Sequence, residues 1–224
     1  VEVFGFSGPR MDEFLKLKWK HLDFENNRIY LTDDNMTKGN RPRYLPANEK
    51  TMKLLKEIKD LSLHSNDNER IWGSKMNRDD IREFIKSCAK AGKTKYSGVH
   101  DFRRSTVHYH QKMMEKEMKR GTLDKAKLVK RILDHVSVDS RLNPLIEKKV
   151  PKRNADGKVM YKTRKNGQIY PVMVKEKDEN GNVIKKHKYV KEELMERRID
   201  YLKNLYLSQI LGHNRTDITA VYKK

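Results

Sequence analysis

"SGPRMDEFLKLKWKHLD", Ser7–Asp23, is the stretch from which the rest of the chain can be read. Ser7-Gly8 offers a cap, Pro9 suits a first helical turn, and Asp12 and Glu13 complement the positive end of a helix dipole. Met11, Phe14, Leu15 and Leu22 give one apolar stripe, so the stretch predicts an amphipathic helix. The same stretch holds Arg10.

Beyond it, two strands are predicted at Arg28–Thr32 and Arg43–Pro46, joined by the polar loop "DDNMTKGN" that carries Lys38. Asn48 caps a helix to about Leu61, with Met52, Leu55 and Ile58 on one face. A second runs from Asn77 to Ala91, with Gly92 as its stop and Ile81, Phe84, Ile85 and Cys88 as its stripe. A third carries "HDFRRSTVHYHQKMMEKEM", and a fourth covers Asp124 to about His135. After Pro144 the texture changes. Three turn signals, Asp156-Gly157, Asn166-Gly167 and Asn180-Gly181, sit among β-branched, aromatic and basic residues. Such dipeptides favour hairpin turns because they tolerate positive φ, so a β-meander of up to four strands is expected over roughly 146–190. A helix from about Lys191 to Leu207 then leads to the C-terminal stretch "LGHNRTDITAVYKK", Leu211–Lys224. The expected fold class is α+β and mainly helical, with a small antiparallel sheet and an inserted β-rich subdomain over 144–190.

Composition narrows the partners. The 224 residues carry a formal net charge of +20, with 36% hydrophobic and 37% charged residues. That much positive charge points to polyanions, nucleic acid first and anionic membrane second. No run of about 18 apolar residues exists to span a bilayer. The lone Cys88 excludes an internal disulfide framework and points to a reducing compartment. The eight histidines show no metal-ligand spacing with cysteine.

Four clusters carry chemistry: Arg10, Lys38, the pair His100 and Arg103, and the terminal His213 with Tyr222. His100 and Arg103 are three apart, which on a helix places them on one face about 5–6 Å apart at Cβ. Two arginines can grip the nonbridging oxygens of a phosphodiester with permanently charged, bidentate forks. They would then supply the charge stabilisation that a metal ion supplies elsewhere. A lysine on a hairpin tip can protonate a leaving 5′ oxygen, and a tyrosine can attack phosphorus and hold the strand covalently. Taken singly, each residue is a commonplace of a basic surface. Their order and local spacing make the case.

On those residues the chain resembles the tyrosine recombinase, or phage integrase, family. The family's Gly-x-Arg-x-x-Glu followed by Leu-x-Trp and Asp is matched by Gly8, Arg10, Glu13, Leu17, Trp19 and Asp23. Its lysine hairpin is matched by Lys38 in "TKGNRPRYLP", its His-x-x-Arg motif by His100 and Arg103, its Leu-Gly-His box by Leu211-Gly212-His213, and the Thr-x-x-Tyr after that box by Thr219 to Tyr222. The resemblance implies catalytic roles for Arg10, Lys38, His100, Arg103, His213 and Tyr222. It implies a site-specific DNA recombinase or integrase of a mobile element, cleaving and rejoining strands through a 3′-phosphotyrosyl link. It also implies double-stranded DNA as partner, a homotetramer on two DNA sites, and no cofactor, metal, membrane or small-molecule substrate. The expected location is the cytoplasm of a bacterial, archaeal or virus-infected cell, at the nucleoid. Residues 1–224 would form the catalytic domain, and the family's N-terminal DNA-clamping domain lies outside this chain.

Two departures stand out. Arg103 and Gly212 are 109 positions apart, where the family has a few tens, so 144–190 reads as an insertion. "ILDHVSVDS", Ile132–Ser140, imitates the Leu-Gly-His box, but Pro144 stands where its tyrosine would be. His213 is therefore the box histidine, and His135 at most a lining residue. A telomere resolvase or type IB topoisomerase-like strand transferase would use related chemistry with a different product. A basic DNA-binding module without activity is the reading from another class.

Overall fold

The computed structural model describes residues 6–33, 35–38, 41–63, 65–95 and 98–212. They form two compact units, one from the residues up to Leu142 together with those from Lys191, the other Asn143–Val190.

In the first unit, α1 spans Met11–Leu15 and ends early. Its continuation is not helical: Trp19–His21 form a 3₁₀ turn and Leu22–Asp23 form β1, so Leu22 serves a sheet and not the helical stripe. The 69–71 segment explains why. Trp19 donates its N–H to the Glu69 carbonyl at 3.3 Å, and Ile71 donates to Leu17 at 3.0 Å, so the chain here is held extended. β2 (Arg28–Leu31) and β3 (Arg43–Pro46) lie where expected and pair antiparallel, Ile29 facing Leu45, with β1 on the outer side of β2.

Asn48 caps α2 (Glu49–Leu61) by accepting from the Thr51 N–H at 2.6 Å. Asn77 caps α3 (Arg78–Ala91), accepting from Asp79 and Asp80. Phe14, Leu17, Trp19, Ile29, Leu31, Leu45, Met52, Leu55, Ile81 and Ile85 make the core between sheet and helices, and Trp72 stacks on Phe14 at 4.5 Å. Phe84 departs from the expected stripe: it is 59% exposed, because α3 buries only Ile81 and Ile85.

α4 (Val99–Lys119), α5 (Lys125–Ser137) and α7 (Ile199–Ile210) form the helical layer. Leu128, Val129 and Ile132 of α5 and Leu202, Leu205 and Ile210 of α7 are buried there. Burying each such side chain contributes about 1.5–3 kcal/mol. The single expected helix before the terminal box is two, α6 (Lys191–Glu196) and α7, broken at Arg197–Arg198.

The second unit contains β4 (Leu145–Glu147), β5 (Lys149–Pro151), β6 (Tyr161–Thr163), β7 (Ile169–Pro171), β8 (Met173–Lys175) and β9 (Lys185–His187). They do not form a meander. β4 pairs β9, β5 pairs β8, and only β6 and β7 are sequential partners. The strands nest, and they branch where three backbones meet. Lys152 donates to Val172, Val172 to Met160, and Met160 to Lys152, at 2.7, 2.9 and 2.8 Å. Lys148, Ile184 and Glu176 repeat that cycle one level below. The three turns are where the Asp-Gly and Asn-Gly pairs place them. Gly157, Gly167 and Gly181 adopt φ of 77°, 78° and 81°.

Candidate active site

The first motif is a loop pinned from three sides. Ser7 is fully buried and donates its hydroxyl to the Pro46 carbonyl at the end of β3, at 2.7 Å. Gly8 has φ +60°, and a Cβ there would stand 2.8 Å from Thr106 Oγ1 on α4. Only glycine allows the loop to approach the helix so closely. Arg10 then caps α1, half-buried.

Glu13 organises the charges around it. Its Oε2 accepts from the Arg10 backbone N–H at 2.6 Å and from Arg43 Nη2 at 2.5 Å, and its Oε1 accepts from Arg10 Nη1 at 2.8 Å. Burial pushes this carboxyl up, but Arg43 and Arg10 outweigh it and hold it below the ordinary glutamate value. It is therefore ionised at neutral pH and fixes Arg10 by backbone and side chain at once.

Arg43 is a site residue that sequence reasoning passed over as part of a basic stretch. It is 1% exposed, and a Cβ on Gly212 would collide with its Nη1. Gly212 has φ +68°. The glycine of the Leu-Gly-His box thus lies directly against the guanidinium that Glu13 holds. The signal was available: in β3, Arg43 and Leu45 share a face, and that face is the core.

Arg103 is 2% exposed. Its Nη1 donates to the Gly8 carbonyl at 2.6 Å and its Nη2 to the Leu211 carbonyl at 2.8 Å. One side chain on α4 thereby joins the first motif to the terminal box, 108 residues later. His100, one turn earlier, is exposed. The two differ in burial although they belong to one motif.

Lys38 is exposed in the turn after β2. The turn is anchored around it: Met36 is buried, Thr37 donates its hydroxyl to the Arg41 carbonyl at 2.8 Å, and Lys16 Nζ donates to the Asn35 carbonyl at 2.8 Å. Asp33, at the root of the turn, meets Lys20 Nζ at 3.0 Å and His21 Nε2 at 3.1 Å. His213 and Tyr222 lie outside the described residues.

His135 is not a lining residue. It is fully buried on α5, tilted against the Tyr44 ring at 4.3 Å, and neither ring nitrogen has a partner among the described residues. Burial, reinforced by Arg43 and Arg28, pushes it down to about 3. It is a neutral core histidine. His110 is similar: burial brings it down to about 4, and its Nε2 lies 3.2 Å from the Phe6 carbonyl.

Among the described residues no cluster of three or more His, Cys, Asp and Glu side chains is placed to hold a metal ion, and no helix is long and apolar enough to cross a membrane.

Hydrogen bonds join Arg10, Glu13 and Arg43, and others join Gly8, Arg103 and Leu211; Gly212, against Arg43, brings the two sets side by side, with Lys38 on an anchored turn. A family model described as the phage integrase family matches residues 1–140. No curated protein and no solved structure matches the chain. The matched span includes Arg10, Lys38, His100 and Arg103 and stops short of the second unit.

Proposed function

The chain belongs to the phage integrase family, whose members transfer DNA strands, and from that membership we propose that it is a site-specific recombinase acting through Tyr222. The phenol oxygen of Tyr222 attacks the scissile phosphorus and its proton passes to an imidazole, His100 or His213. The bond to the 5′ oxygen breaks, and that oxygen takes a proton from Lys38. A 5′ hydroxyl of the partner strand then gives its proton to Lys38 and attacks the phosphotyrosyl phosphorus; the bond to Tyr222 breaks, and the phenol takes its proton back from the imidazole. Arg10 and Arg103 stabilise the charge that spreads over the phosphoryl oxygens in both steps. Protomers assemble as a tetramer on two duplex sites, and 144–190 is an insertion within the catalytic domain.

The observation that carries the reading is Arg103. Its two hydrogen bonds bind the loop of Arg10 to the backbone that leads into His213. Residues from three distant parts of the sequence are thus drawn to one place, which a merely basic surface does not require.

The test is covalent capture. The full chain is mixed with a nicked duplex taken from the DNA flanking its gene, cut so that the freed end diffuses away. A DNA–protein band on a denaturing gel that disappears in Tyr222→Phe is expected. A band of equal strength in Tyr222→Phe, or none with the native flanking DNA, overturns the proposal. Recombined rather than resealed or hairpin products separate a recombinase from a topoisomerase or a telomere resolvase.

A further inference from the structure

The second unit lies outside the residues that the family model matches, and its chemistry is distinctive. Residues 143–190 hold eleven lysines and two arginines against five acidic residues. Two of the acids are occupied: Glu147 by Lys175 and Glu176 by Lys148, each at 2.7 Å. The remaining positive charge is unevenly spread. The β6–β7 hairpin, residues 161–171, contains Lys162, Arg164 and Lys165 and no acid.

That hairpin is exposed from 161 to 169. Its register pairs Lys162 with Tyr170 and Thr163 with Ile169. Because strand side chains alternate, Lys162, Arg164 and Tyr170 share one face, and Tyr161 and Ile169 the other. Arg164 lies over the Tyr170 ring at 5.0 Å, which holds its guanidinium on the basic face. Tyr161 is 62% and Ile169 66% exposed. An isolated two-stranded hairpin is marginally stable in water. This one is held at its base by the Lys152–Met160–Val172 cycle. It is thus a braced, two-sided ribbon with an acid-free basic face and an apolar back.

We propose that the β6–β7 hairpin is a DNA-contacting ribbon that lies in the major groove. Lys162, Arg164 and Lys165 meet phosphates, and Tyr161 and Ile169 face the base edges and sugars. The proposal rests on the DNA-acting function proposed for the chain. The major groove admits a two-stranded ribbon, and the charge of the hairpin complements a polyanion. A protein partner would meet the same apolar back, but it would leave the acid-free basic face without a counterpart.

The experiment measures salt dependence with the full chain and a fluorescent duplex from the native flanks. Each lost phosphate contact reduces the slope of log K against log salt by about 0.9. The triple variant Lys162→Gln, Arg164→Gln, Lys165→Gln should therefore flatten the slope by roughly 2.7, so that between 50 and 200 mM salt the parent loses roughly 40-fold more affinity than the variant. Lys162→Arg with Lys165→Arg should keep the parental slope, which separates charge from folding damage. Equal slopes for parent and triple variant overturn the ribbon. So does a change of oligomeric state with the slope unchanged, which makes the hairpin a protomer contact. Covalent capture by the parent is scored on the same duplex. An adduct with equal slopes sinks the ribbon alone, whereas binding without adduct sinks the Tyr222 reading while the slopes still decide the ribbon. A parent that does not bind duplex sinks both.

Discussion

Glu13 Oε2 lies 2.5 Å from Arg43 Nη2, and both side chains are 1% exposed. The same carboxylate holds Arg10. A buried ion pair of this kind couples the stability of the fold to the placement of Arg10, the residue proposed to hold the phosphate.

Breaking one half should be severe. Glu13→Gln leaves Arg43 buried without its counter-charge and is expected to lose roughly 3–5 kcal/mol of stability. Glu13→Leu combined with Arg43→Met should recover most of that loss while Arg10 remains unanchored. Chemical denaturation of the two variants, alongside covalent capture, checks both halves. Full recovery of capture in the double variant would show that Glu13 does not position Arg10.

Gly212→Ala adds a methyl group in a left-handed conformation, against the Arg43 guanidinium. The expected destabilisation is roughly 1–3 kcal/mol. Combining it with Arg43→Met should be less damaging than the sum of the single changes, since the guanidinium is the obstacle. Additive losses in a thermal-melt cycle would place the strain elsewhere.

The His-x-x-Arg motif should divide by role. Arg103→Gln is expected to unfasten Gly8 from Leu211 and lower stability by roughly 2–4 kcal/mol. His100→Ala, at an exposed position, should stay within about 0.5 kcal/mol of the parent. If melting curves show the two variants equally stable, the tether is not structural.

Acid should destabilise the protein before its carboxylates titrate. His110 and His135 are held near 4 and 3, below the ordinary 6.5, so the neutral form belongs to the folded state. The unfolded chain takes up these protons first. The stabilisation is complete above pH 6.5 and is lost as pH falls below it, by roughly 1–2 kcal/mol per histidine at pH 5. The melting temperature should therefore fall between pH 6.5 and 5 in the parent and fall less in His135→Leu. A flat profile in the parent would contradict the burial of both rings.

Lys38→Ala should slow cleavage of an ordinary phosphodiester but not of a substrate whose 5′ bridging oxygen is replaced by sulfur, a leaving group that needs no proton. Equal losses on both substrates would remove Lys38 from the acid role.

Much of the helical layer and both main strands were legible because their signals are local. Asn48, Asn77 and Asp124 cap the helices they precede. The pairing of the second unit was not legible, for a physical reason. A Gly with positive φ says where a strand turns, but Leu145 pairs with His187 across two strands that are not neighbours in the chain, which no local turn signal specifies. In the site, Arg10 and Arg103 could be found from the motifs they stand in. Arg43 was legible only as an inward-facing position of β3, beside Leu45, and its carboxylate partner Glu13 was not, because it lies 30 positions away in the chain. His135 misleads in the opposite direction: its flanking residues imitate a catalytic box, and only burial against Tyr44 reveals a packed ring.

The closure of β4 on β9 bears on how the chain folds. α5 and α7 pack together although the 61 residues 138–198 separate the end of one from the start of the other. A flexible loop of that length would add an entropic penalty to their meeting that grows with the logarithm of its length. Here Leu145 and His187 are cross-strand neighbours. Once the nested hairpins have formed, the 41 residues between them span the distance of a single strand pair, and the two helices search for each other across a much shorter effective loop. If those hairpins form early, the contact order that governs the folding rate of the first unit is the shorter one, and slowing them, for instance by Gly167→Val, should slow the whole chain.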